Sequence, residues 1–137
     1  MPKHRTATVL LSLLLATTTY GQDEFDNLEI ESCKLVSIVA KEVMTARQKG
    51  QPMSETLPSA IDRFKDLIGE IGVEIDDLGG EEQEALKELE QVIAQLVIGA
   101  YEAPPFIDEN AQRMTINHFE NAAFAECYKG FMSDSEE

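Results

Sequence analysis

Tryptophan is absent from this 137-residue chain, histidine and cysteine each occur twice, and basic residues are outnumbered by acidic ones, 11 to 26. Beyond the N-terminal segment only one histidine, His118, and two cysteines remain, too few for the four ligands of a typical structural zinc site. The chain also contains no glycine-rich phosphate loop, nucleophile elbow, HExxH, CxxC or CxxCH pattern. These absences exclude the signatures of the common enzyme classes.

Long apolar runs are also scarce, and the one present lies near the start of the chain. Residues 7–16 are apolar apart from two hydroxyl residues, they follow Lys3 and Arg5, and small residues surround a cleavage position before Gln22. This order is typical of a secretory signal peptide, and the run is about half the length that a membrane-spanning helix requires. We therefore expect residues 1–21 to be a signal peptide, and the mature protein to be periplasmic or secreted without stable membrane insertion.

Removal of the predicted signal peptide makes the excess of acidic over basic residues larger. The formal net charge of the chain is −15; without Lys3 and Arg5, nine basic residues oppose 26 acidic ones, which gives −17. Such a surface repels phosphate backbones and anionic lipid headgroups, which argues against nucleic-acid and membrane-surface binding. It favours encounter with a basic partner, and it also keeps a small exported protein soluble and monomeric. Both interpretations stay open, and we expect a monomer.

The two cysteines of the mature chain predict one internal disulfide, Cys33–Cys127, because exported proteins experience an oxidising compartment. An intermolecular bridge and two free buried thiols are the alternatives. The internal bridge would close nearly the whole domain, and loop-closure entropy for such a loop corresponds to about 4–5 kcal/mol at most.

Capping residues and apolar periodicity predict a four-helix domain. We expect one helical domain over residues 22–132 and an acidic disordered tail over residues 133–137. The helices are predicted over residues 26–49, 54–78, 81–102 and 108–129. An even number of antiparallel helices brings Cys33, near the start of the first, close to Cys127, near the end of the fourth. The predicted fold is therefore all-α, a small four-helix bundle-like domain closed by one disulfide.

The helix ends are assigned from capping signals. We expect the first helix to begin at a capping box formed by Asp26 and Glu29, and the second at Ser54, with Ser59 as the alternative. The predicted stops are Gly50, Gly79-Gly80, Pro104-Pro105 and Gly130. Because glycines interrupt the second helix, the sequence leaves open whether residues 58–80 form one helix or a bent pair.

Apolar periodicity also predicts which helix faces are buried. Residues 92–101 are apolar nearly all round, so we expect the second half of the third helix to be the central, most buried element. The inward face of the second helix is predicted as Ile61, Phe64, Ile68, Ile71, Ile75 and Leu78. That of the fourth is predicted as Met114, Ile116, Phe119, Ala123 and Cys127.

Two local clusters close the first and third helices, ARQxG at residues 46–50 and AYExP at residues 100–104. The predicted bundle places both at one pole, away from the disulfide. We expect Arg47 to pair with Glu102 and the Tyr101 hydroxyl to bond to a backbone carbonyl. The alternative interpretation is a ligand-binding pole formed by Arg47, Tyr101 and Glu102.

These clusters belong to a longer pattern. Its parts are Cys33, ARQxG at residues 46–50, Met53-Ser54, AYExP at residues 100–104, Phe119 and Cys127. The pattern resembles a group of short, uncharacterised exported proteins of Gram-negative bacteria and their phages. It covers about residues 30–130, and this chain departs from it by a longer segment over roughly residues 58–80. The resemblance implies export and a disulfide, and it brings no activity, cofactor or site residue.

The leading functional hypothesis is a non-enzymatic periplasmic interaction protein, such as an inhibitor or immunity-type protein directed against a basic exported protein. The alternatives are a cell-wall hydrolase that uses acidic residues and a small-ligand or calcium carrier. The acidic residues around the second loop do not match the spacing of a calcium-binding EF-hand loop, and we expect His118 to be a surface or half-buried residue. We assign no cofactor, metal ligand or catalytic residue.

Overall fold

Four α-helices account for most of the chain that the structure describes. A computed structural model describes the backbone of residues 22–135 and the side chains of residues 30–130 and Met132. The helices are α1 (Gln22–Gln48), α2 (Met53–Glu70), α3 (Gly80–Glu102) and α4 (Glu109–Ser135), with a 3-10 turn at Ile75–Asp77. This confirms the predicted all-α, four-helix bundle-like fold. The predicted signal peptide, residues 1–21, lies outside the described residues.

Helix α1 is the element on which the other three pack. It contacts α2, α3 and α4, while α2 also contacts α3, and α4 packs almost entirely on α1. Its buried residues accordingly face several directions, among them Cys33, Val39 and Ala40, which are fully buried. The prediction that residues 92–101 of α3 form the most buried element is wrong. One side of that segment faces solvent, and Ile98 is 43% exposed.

The main core lies between α1, α2 and α3. Its largest fully buried side chains are Phe64, Met44, Ile68, Leu89, Ile93, Val39 and Val97. Those of α2 recur four residues apart, at positions 64 and 68, and so do those of α3, at positions 89, 93 and 97, a spacing that places residues on one helix face. Burying each large apolar side chain stabilises the fold by roughly 1.5–3 kcal/mol, so this cluster dominates the stability of the three-helix part.

Helix α4 packs almost entirely against α1, and its apolar side chains are less buried than those of the main core. Its side chains facing α1 are only partly buried: Ile116, Phe119, Ala123, Phe124, Cys127 and Tyr128. Met114, predicted to face inward, is exposed, because α4 has one neighbour and therefore a narrow buried stripe. The predicted disulfide is confirmed: Cys33 and Cys127 are bonded, with their Cα atoms 5.5 Å apart across a sequence separation of 94 residues.

Two glycines with left-handed backbone end α1 and α2. Gly50 has φ of +83° and Gly72 has φ of +96°. At the end of α1 the Gln51 amide bonds to the Ala46 carbonyl at 3.0 Å. At the end of α2 the Val73 amide bonds to the Ile68 carbonyl at 3.3 Å. Both are Schellman caps, in which a residue after the glycine satisfies a carbonyl of the last turn.

The second cap corrects the prediction for the second helix. Helix α2 ends at Glu70, not at residue 78, and a 3-10 turn follows it, so residues 58–80 are neither one helix nor a bent pair of helices. Ile71 therefore leaves the predicted buried stripe and is 47% exposed. Helix α2 begins at Met53 after Pro52, which provides no side-chain cap, so the expected caps Ser54 and Ser59 both lie inside the helix.

Of the other predicted helix boundaries, those of α3 are confirmed, and the start of α1 and the end of α4 are wrong. Helix α3 matches its predicted range to within one residue. Helix α1 already begins at Gln22, which places the predicted capping box inside it. Helix α4 continues through Gly130 to Ser135, because Gly130 lacks the positive φ that makes Gly50 and Gly72 stops. The first three residues of the predicted disordered tail are thus helical.

Salt bridges join neighbouring helices at the surface. Lys65 of α2 contacts Glu90 of α3 at 2.8 Å, and Arg63 of α2 contacts Glu42 of α1 at 3.1 Å. The hydrogen bond to Glu90 raises the pKa of Lys65, against a smaller opposing effect of burial. Exposed pairs of this kind contribute about 0–1 kcal/mol each, so they orient α2 more than they stabilise it.

None of the helices within residues 22–135 combines the length and apolarity that crossing a membrane would require.

Because α4 has one neighbour, the disulfide should contribute strongly to its attachment. We expect the Cys33→Ser/Cys127→Ser variant to lose up to about 4–5 kcal/mol of unfolding free energy in urea titrations. The wild-type protein with its disulfide chemically reduced is the matched control, and it should lose a similar amount of unfolding free energy. Equal stability of oxidised and reduced protein would contradict this account.

Candidate functional site

The two sequence clusters meet at one pole of the bundle, which we call the motif pole. It consists of the end of α1, the start of α2, the end of α3 and the loop between α3 and α4. We call that loop, residues 103–108, the tip loop. Side-chain to backbone hydrogen bonds connect residues 47–51 to residues 101–106, across sequence separations of 50 to 58 residues.

Arg47 joins the end of α1 to the start of the tip loop. Its Nε donates to the Ala103 carbonyl at 3.0 Å. Its guanidinium carbon lies 5.0 Å from the centre of the Tyr101 ring, within the range of a cation–π interaction. The predicted pair with Glu102 does not form, because the guanidinium lies over the ring and bonds to a backbone oxygen while the Glu102 side chain is exposed.

Gln48, one position further along α1, holds the tip loop with both ends of its amide. Its Nε2 donates to the Pro104 carbonyl at 3.0 Å, and its Oε1 accepts from the Phe106 amide at 2.8 Å. The side chain is buried. Because the loop contains two consecutive prolines, which fix their own φ angles, these two bonds position the backbone between them.

Tyr101 joins the end of α3 to the start of α2. Its hydroxyl donates to the Gln51 carbonyl, just after the Schellman cap of α1. The same hydroxyl lies 2.6 Å from Thr56 Oγ1, which also lies 3.3 Å from the Pro52 carbonyl oxygen. The prediction that this hydroxyl bonds to a backbone carbonyl is confirmed.

The far end of the tip loop is held by the start of α4. Asp108 is the N-cap: its Oδ2 accepts from the Ala111 amide at 2.9 Å. The Gln112 side-chain amide donates to the Phe106 carbonyl. The tip loop is thus bonded at residues 103, 104 and 106 to side chains of two different helices.

The structure brings together two of the three residues predicted as a binding pole. Arg47 and Tyr101 come together as expected, but their polar groups bond within the protein, while Glu102 points to solvent without joining them. Gln48 and Gln112 were missed, although Gln48 lies inside the ARQxG cluster. Among the described residues every buried polar side-chain atom has a hydrogen-bond partner, so the motif pole presents no unpaired buried group to a ligand.

Other chemistry-bearing residues do not converge. His118 is exposed on α4. Across the described part of the chain, no three His, Cys, Asp or Glu side chains come together where they could hold a metal ion. The acidic residues that follow α2 spread over the 3-10 turn and the first turns of α3, where negative charge is favoured by the helix dipole.

Comparison with protein-family models, with curated proteins and with solved structures yields no match to this chain. The resemblance to short exported proteins therefore stays a prediction.

Removal of the Tyr101 hydroxyl should weaken the contact between α3 and α2. We expect Tyr101→Phe to reduce the free energy of unfolding by about 1–3 kcal/mol, because it leaves the Gln51 carbonyl and Thr56 without their shared partner. Tyr128→Phe is the matched control, since the Tyr128 ring stacks on Phe124 and Phe preserves that contact. Equal losses for the two variants in urea denaturation would count against the assigned role.

Arg47 and Glu102 should behave as independent residues. We expect Arg47→Met to cost about 1–2 kcal/mol through loss of the bond to Ala103 and the cation–π contact. Glu102→Gln should change stability by less than about 0.5 kcal/mol, as is usual for exposed positions. A double-mutant cycle checks this independence: a coupling energy clearly above about 0.5 kcal/mol would show that Arg47 and Glu102 form an ion pair.

Proposed function

We propose that this chain is an exported, non-enzymatic binding protein that captures a basic exported partner, in the manner of an inhibitor or immunity-type protein. The observation that carries the proposal is the distribution of charge. In residues 70–90, the acidic segment, nine carboxylates accompany a single lysine. Six of the nine side chains are exposed, so the charge faces solvent.

Basic side chains balance only part of this surface. Arg63, Lys65 and Lys87 contact three of the nine carboxylates of the acidic segment, Glu70, Glu90 and Glu84. Because acidic residues outnumber basic ones 26 to 11 in the chain, a negative charge excess remains. A field of one sign raises the encounter rate with a partner of opposite sign and suppresses encounters with acidic proteins.

The internal constraints of the fold support a binding role as well. The disulfide, the two Schellman caps and the hydrogen bonds of the motif pole hold the surface in one arrangement. A surface ordered before binding loses little conformational entropy when a partner docks, which favours tight capture by a small protein.

Affinity capture tests the proposal. The oxidised protein is immobilised, exported extract of the source cells is passed over it, and bound material is eluted with a salt gradient. We expect one basic protein to be retained at low salt and to be absent from a column that carries an unrelated folded protein of equal net charge. An empty column, or the same proteins on both columns, would refute the proposal.

The kinetics of the captured pair provide a second test. Because steering by charge acts on encounter, the association rate constant should fall by roughly tenfold or more between low and physiological salt. The dissociation rate constant should change much less. An association rate independent of salt would show that the acidic surface does not guide the partner.

A further inference from the structure

The tip loop presents an isoleucine that does nothing for the fold. Ile107 is 100% exposed, and Phe106 beside it is 37% exposed. An apolar residue just before a helix N-cap often packs against the fourth residue of that helix. Here that residue is Gln112, whose amide bonds to the Phe106 carbonyl, and the full exposure of Ile107 excludes the contact.

The loop that carries Ile107 is nevertheless firmly held. Arg47, Gln48 and Gln112 bond to its backbone on the two sides, and two prolines restrict the segment between them. A fully exposed isoleucine contributes no burial energy to the isolated protein. On an ordered loop it favours binding, because an ordered anchor enters a pocket without first losing conformational freedom.

We propose that the tip loop is the surface on which the basic partner docks, with Ile107 entering an apolar pocket of a folded exported protein. The inference rests on the proposed function and adds the docking surface. The acidic segment lies at the opposite pole and contributes to the charge that attracts the partner, while the tip loop makes the docked contact. Met53, 42% exposed at the first residue of α2, lies at the same pole as the tip loop.

The charges around the loop specify the rim of the pocket. Glu102 precedes the loop, Asp108 closes it and Glu109 follows, and all three are exposed. Arg47 is committed to Ala103 and the Tyr101 ring. The other cations at this end are Lys49, which is exposed, and Arg113, which bonds to Asn110. The loop itself thus has an apolar centre between carboxylates, and it fits a pocket rimmed by Lys or Arg side chains.

A second copy of the chain fits this surface poorly. A two-fold symmetric contact brings the same patch of both copies together, so the carboxylates of one loop would face those of the other. The net charge of −15 per chain adds repulsion between copies. The occupant is therefore a protein of opposite charge.

Site-specific photocrosslinking identifies what contacts the loop. A benzophenone amino acid replaces Phe106, beside Ile107, in the oxidised protein, and a matched protein carries it in place of Ile71, which is 47% exposed at the opposite pole, within the acidic segment. Both are irradiated in exported extract of the source cells. We expect a discrete adduct with one basic protein from position 106 and none from position 71. An adduct of two copies of this chain, an adduct from position 71 alone, or no adduct at position 106 would overturn the proposal.

Affinity measurements with the captured protein provide a second test of docking at the tip loop. Ile107→Ser should weaken the affinity by roughly tenfold to a hundredfold, while Ile71→Ser should leave it unchanged. Neither variant removes a fully buried side chain, so both should remain folded, which melting temperatures check. Unaltered capture by Ile107→Ser would refute docking at the tip loop and leave the proposed function standing. An empty wild-type column would refute both.

Discussion

The structure depends on one helix serving as the packing partner of three others. Helix α1 is buried on several sides because α2, α3 and α4 each pack against it, whereas α4 has almost no contact outside α1. The core between α1, α2 and α3 is held by large, fully buried side chains, whereas the apolar side chains of α4 that face α1 are partly buried. The Cys33–Cys127 disulfide links α4 to α1, its one main neighbour, and limits separation of the two helices.

The C-terminal end of α1 links this packing to the surface proposed for binding. Its last turn presents Arg47 and Gln48 to the tip loop and then stops at a Schellman cap built on Gly50. The ARQxG cluster therefore combines two structural tasks, ending a helix and fixing a loop 56 residues away. The AYExP cluster complements it, since Tyr101 bonds to the segment that follows the cap. Neither cluster needs a ligand to explain its residues, which bond within the protein.

Sequence reasoning succeeded where the determining interactions are local or covalent. Helix α3, the Asp108 region at the start of α4 and the pairing of the two cysteines follow from capping, periodicity and the antiparallel arrangement. It failed where the same residue types fit more than one conformation or partner. Gly72 ends a helix and Gly130 does not, although the sequence marks both as glycine, because only Gly72 adopts a positive φ. Likewise, charge alone predicts an ion pair between Arg47 and Glu102. In the folded chain Arg47 instead bonds to the Ala103 carbonyl and lies over the Tyr101 ring.

Amide hydrogen exchange under native conditions tests most directly that α1 both organises the bundle and holds the tip loop. We expect the amides of Val39 and Val43 in α1 to exchange only through global unfolding, and those of the first half of α4 through smaller openings. The amide of Phe106, although it lies in a surface loop, should be protected because Gln48 accepts its hydrogen bond. Slower exchange in α4 than in α1, or an unprotected Phe106 amide, would contradict the account.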